Sequence, residues 1–140
     1  MEANHDYIYV PKADINEGIS SGIITKAALY FTKKYLFVVP TESLEVLLAG
    51  ASASYENTNN KLGDLASKIS GMDLESFENL LLKELKPERV YHISELEKFS
   101  IQVGFWIFGG IQIRRIGGPL QAINVQPMTL REEIKKFYRI

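Results

Sequence analysis

The 140-residue chain has no cysteine, which excludes a disulfide framework and every thiolate metal site. Histidine is scarce: His5 and His92 are the only two, and neither has a second ligand at metal spacing, so no metal site and no cofactor is expected. An excess of charge of one sign is also missing. The formal net charge is −1, which gives no global attraction to nucleic acid and predicts no nucleic-acid partner. Long hydrophobic runs are absent too, since the longest is broken by Gly, Gln and Ser and is too short to cross a bilayer. Met1 to Asp6 is polar and lacks the apolar centre of a signal peptide, so the expected location is the cytoplasm, with peripheral attachment to a membrane as the variant.

What the chain does contain is ordinary for a globular protein: 46% hydrophobic and 24% charged residues. Its length suits one domain, residues 1–140, and suffices to bury roughly two thirds of the unfolded surface. No internal repeat is present.

The strongest patterning lies near the C-terminus. Phe99, Ile101, Val103, Phe105 and Ile107 alternate with Ser100, Gln102 and Gly104, the period of a half-buried strand. Continued in register, that strand turns Trp106 and Phe108 away from the core, and two large aromatics there need a cover. The cover is either the chain itself, a second copy, another protein or a membrane. Gly109-Gly110 and Gly117-Gly118 mark turns around a strand at Ile111–Ile116, and Leu120–Gln126 returns as its hairpin partner with Pro119 at its start. Pro127 ends that strand. Thr129 with Glu132 then reads as a capping box for a closing helix whose apolar stripe is Leu130, Ile134, Phe137 and Tyr138.

Earlier in the chain, Tyr7–Pro11 reads as a weak first strand and Asp14–Gly22 as a loop. Ile23–Phe31 and Tyr35–Val39, joined by Thr32-Lys33-Lys34, form a hairpin rich in β-branched and aromatic residues. Between this hairpin and the C-terminal strands lies a helical interlude at about 41–88. It comprises Thr41–Leu48, which reads as a helix or, given Val46, a short strand, a polar loop at Ser52–Asn60, a short helix around Leu62–Ile69, and a longer one capped by Asp73 with Leu74, Phe77, Leu81 and Leu85 on one face, stopped by Pro87. Strands, helices, more strands and a last helix make an α+β fold, not alternating βαβ units.

The hairpin Gly22–Phe37, with Ile93-Ser94-Glu95-Leu96 entering a strand, a glycine-turn hairpin, Ile123–Pro127 and a last amphipathic helix, resembles bacterial pleckstrin-homology-like and GRAM-like domains. The resemblance covers about residues 20–40 and 90–140. It implies a partly open barrel of two antiparallel sheets capped by a C-terminal helix, and a binding or scaffolding role. The helical insertion is larger than the family's usual loop, and the family's basic phosphoinositide motif has no counterpart in the first strand-strand loop.

The expected function is therefore a non-enzymatic module acting through protein–protein contact or self-assembly, with Phe105, Trp106 and Phe108 as the interface. The alternative is a peripheral module for an anionic membrane, using Lys33, Lys34, Arg114 and Arg115. For these basic pairs the plain reading is protection of turns and edges. A small hydrolase ranks last. Gly18-Ile19-Ser20-Ser21-Gly22 fits the nucleophile-elbow spacing, but a strand pattern follows it and His92 is the only downstream histidine. Glu95 and Glu97, two apart on one strand face, read as a solvated pair.

Overall fold

The structure, a computed structural model, describes residues 2, 5–18, 22–40, 71–103, 110–125 and 128–140. Seven strands form one antiparallel sheet that curls into a nearly closed barrel: β1 (Tyr7–Asn16), β2 (Ile24–Thr32), β3 (Tyr35–Pro40), β4 (Val90–His92), β5 (Leu96–Ile101), β6 (Gly110–Arg115) and β7 (Gln121–Val125). Their order across the sheet is β4-β3-β2-β1-β7-β6-β5. Among the described residues two α-helices accompany them, α1 (Leu74–Glu84) and the C-terminal α2 (Met128–Tyr138). The segments 41–70 and 104–109 lie outside the described residues, and with them the expected helices and loop of 41–70, and Phe105, Trp106 and Phe108.

The strand β1 joins the two halves of the barrel. Its first half pairs with β2 alone, whereas Ala13–Asn16 pairs with both β2 and β7. The register breaks between Val10 and Ala13, so the inward side chains run Ile8, Val10, then Ala13 and Ile15. That extra residue bends the strand, and Pro11 sits within the break, where a missing N–H costs no ladder bond. The sequence pattern had ended this strand at Pro11 and read Asp14 onward as loop. The proline marks a bulge in a ten-residue strand, not its end.

Inside the barrel, Ile8, Val10, Ile15, Leu29, Phe31, Leu36, Val38, Ile111, Ile113, Ile123 and Val125 are packed with almost no exposure. Each contributes about 1.5–3 kcal/mol relative to an exposed position. One end is closed by α2, which sets Ile134 and Phe137 into the core with Leu130 and Tyr138 against it. This is the stripe expected from its spacing. The helix begins at Met128, however, which places Thr129 inside the first turn and not at the cap. The first turn is instead tied by Arg131, whose Nε donates to the Val125 carbonyl at 2.9 Å and whose terminal nitrogen donates to Asn124 Oδ1 at 3.1 Å.

A second, smaller core lies on the outer face of the sheet. Phe77, Leu81 and Leu85 of the α1 segment pack on Tyr30, Phe37, Val39 and Val90. Asp73 caps this helix by accepting from the Ser76 N–H at 2.7 Å, a bond that holds its carboxyl below the usual aspartate range. On the same face Glu78 accepts from the Thr32 hydroxyl at 2.8 Å, pinning the helix to the end of β2. Because β2 and β3 are covered on both faces, Ala27–Phe31 and Leu36–Val39 are continuous buried runs without alternation. Burial also raises the Tyr30 and Tyr138 phenols far above their ordinary range.

Candidate functional site

The two ends of the barrel carry different chemistry. At the end closed by α2, the two-residue β2–β3 turn presents Lys33 and Lys34. The Lys33 ammonium donates to the Phe137 carbonyl and lies 3.8 Å from the centre of the Phe137 ring. It thus caps the C-terminus of α2, where a cation suits the helix dipole. The Tyr138 hydroxyl donates to the Thr32 carbonyl beside it. Lys34 is exposed, and its carbonyl accepts from the Ile93 N–H at the β4–β5 corner.

The other end carries the β1–β2 connection and the β6–β7 turn. They emerge together because Asn16 pairs with Ile24 on one side and with Ala122 on the other. Here Arg115 continues the inward row of Ile111 and Ile113. Its guanidinium lies 3.8 Å from the Tyr91 ring centre and donates to the Glu88 and Val90 carbonyls at 2.8 and 3.0 Å. A chain of hydrogen bonds completes the closure. The Tyr91 hydroxyl donates to Gln121 Oε1 at 2.7 Å, Gln121 Nε2 donates to Glu17 Oε2 at 2.9 Å, and Arg89 donates to Glu17 Oε1 at 2.8 Å. Burial raises the Tyr91 phenol despite the nearby Arg115 charge.

Arg115 is thus part of the barrel's closure, while Arg114, on the opposite strand face, donates to the Gly118 carbonyl of its own turn at 3.1 Å. Lys33, Arg114 and Arg115 therefore serve acceptors in three different places, and the four expected basic residues are not gathered on one surface. The expected aromatic interface, Phe105, Trp106 and Phe108, lies outside the described residues, as does Ser20. Gly22 is followed by β2, so the strand-to-helix context of a nucleophile elbow is not met. Glu95 belongs to a short 3-10 turn and only Glu97 to β5, so the two do not share a strand face. The exposed His92 ring stacks edge-on to Tyr35.

The feature that composition and motif reading missed is apolar. Ile23 and Ile116, in the two connections that emerge together, stand 61 and 78% exposed, at positions where turn chemistry favours small polar residues, and Ile24, the first residue of β2, stands 62% exposed. The Glu17 N–H donates to the Ile23 carbonyl, so the backbone at Ile23 is fixed to the Glu17 hub. The available signal was the two isoleucines directly after Gly22 and the one directly before Gly117.

Among the described residues, no helix is long and apolar enough to cross a membrane, and no group of three or more His, Asp or Glu is placed to hold a metal. Comparison of the chain with protein-family models, with curated proteins and with solved structures gave no match.

Proposed function

We propose that the protein is a non-enzymatic interaction module with a pleckstrin-homology-like barrel, and that it works by protein–protein contact, in the first instance with a second copy of itself. The strand order, the bent first strand shared between two halves, and the closing C-terminal helix support that architecture. The observation that carries the function is the exposure of Ile23, Ile24 and Ile116 at the end of the barrel where the β1–β2 connection and the β6–β7 turn emerge. At this tip of the barrel the burial of exposed apolar side chains is favourable, and the near-zero net charge opposes the approach of two copies very little.

A two-fold contact sets each residue of the patch close to its own counterpart. Because the chain has no cysteine, Ile116→Cys provides one thiol and a direct readout. Under mild oxidation this variant is expected to form a disulfide-linked dimer much faster than Lys135→Cys, whose thiol stands on the exposed face of α2. Equal rates for the two variants would contradict the reading.

The alternative, an anionic membrane surface, draws support from exposed Arg114 beside Ile116. Co-sedimentation of the protein with anionic vesicles, lost in Ile116→Ser and at high salt, would favour it over self-contact.

A further inference from the structure

A second surface, at the end of the barrel closed by α2, points to a ligand that the interaction-module reading does not involve. A groove of about 410 Å³ runs along the last turns of α2, lined by His5, Ile8, Lys33, Glu133, Lys136 and Phe137, with Arg139 at its edge. Three cationic side chains line it with one carboxylate, Glu133, and the ring of His5 is paired with Asp6, its Nδ1 3.2 Å from Asp6 Oδ1. Lys33 is committed to the Phe137 carbonyl, but among the described residues the side chains of Lys136 and Arg139 have no hydrogen-bond or ion-pair partner.

Arg139 is also held in an unusual conformation. With φ of 57°, it is the one non-glycine residue at positive φ among those described. Its N–H donates to the Lys136 carbonyl and that of Ile140 to the Lys135 carbonyl, the paired bonds that end a helix with a left-handed residue. Glycine is the usual occupant of that position, because a side chain there is strained. Here the position carries a guanidinium on the edge of a basic groove.

We infer that this groove binds a phosphomonoester, a dianion that a free lysine and a free arginine fork can hold together. The carbonyl end of a helix disfavours an anion, but here the Lys33 ammonium caps the Phe137 carbonyl at the groove wall. The volume exceeds that of inorganic phosphate and leaves room for the group that the phosphate esterifies. Glu133, and Asp6 through its pairing with His5, are the opposing charges.

The test uses the full chain and two probes: phenyl phosphate, followed by NMR titration, and phosphatidylcholine vesicles doped with phosphatidic acid, followed by flotation. Saturable shifts centred on Lys136 and Arg139 are expected with phenyl phosphate if the source is soluble, and, if it is a lipid headgroup, flotation that Arg139→Gly abolishes and Ile116→Ser does not. Either result supports the site and identifies the source, whereas flotation lost in Ile116→Ser and kept in Arg139→Gly would overturn it. Arg139→Gly should weaken binding about tenfold, as expected for one charge-assisted contact, while leaving the melting temperature unchanged or raised. Lys136→Gln should act similarly, and Glu133→Gln should tighten binding. Absence of saturable binding to both probes, shifts centred on Ile24 and Ile116 instead, or full affinity in Arg139→Gly would each overturn the inference. None of these results bears on self-contact through the isoleucine tip.

Discussion

Gly110 and Arg131 show how one residue pair fixes the start of a strand and the seat of a helix. Gly110 has φ of 99°, and a Cβ built on it would stand 2.7 Å from both Cδ and Nε of Arg131. Arg131 is only 2% exposed and is held by the Val125 carbonyl and Asn124, so it has little freedom to retreat. Gly110→Ala is therefore expected to cost on the order of 3 kcal/mol, from backbone strain and overpacking together. Urea denaturation checks this, and a loss below about 0.5 kcal/mol would mean that Arg131 is not anchored as described. The sequence pattern placed Gly110 in a turn with Gly109; Gly110 is the first residue of β6, and Gly109 lies outside the described residues. The reason for glycine was not legible, because Arg131 lies 21 positions away and nothing in an amphipathic pattern marks a charged residue as buried. Gln121 and Glu78 were hidden in the same way, since their partners, Tyr91, Glu17 and Thr32, are brought to them only by the fold.

Among the elements, α1 and α2 were legible for the same reason, a single apolar stripe at helical spacing on each. Their placement was legible for α2 alone, which was expected as a plug. What α1 covers could be seen only in the unbroken apolar runs of β2 and β3, a pattern that requires both faces of a sheet to be buried. The weakest reading was β1, where Pro11 imitates a strand end and a bulge carries the pairing onward. The position of α1 on the outside has an energetic consequence. Phe77 is fully buried, with ring centres 5.1 Å from Tyr30 and 6.2 Å from Phe37, and a Phe→Ala change at such a site costs about 3–5 kcal/mol. The interior core shares none of these contacts, so Phe77→Ala is expected to release α1 locally. Hydrogen exchange should then show lost protection in Phe77–Glu84 with β1, β2 and β7 still protected. A uniform loss across the sheet would show that the two cores are one cooperative unit.

At the scale of the whole molecule, both ends of the barrel are sealed by the chain's own groups. One seal consists of Ile134, Phe137 and Tyr138, and the other of Arg115 with the bonded set Tyr91, Gln121, Glu17 and Arg89. Arg115 was expected in a headgroup patch and instead fills the barrel's mouth, because strand alternation turns it inward and Arg114 outward. Among the described residues, the most exposed large apolar side chains are Ile23, Ile24 and Ile116, at the end of the barrel that Arg115 fills. The most direct test of self-contact through that tip is sedimentation equilibrium over a wide concentration range, comparing the natural chain with an Ile24→Ser, Ile116→Ser double variant. The natural chain is expected to rise above its monomer mass of 15.8 kDa with concentration, and the variant to remain at that mass with an unchanged melting temperature. A natural chain that stays at 15.8 kDa throughout, or a variant that assembles equally well, would contradict the account.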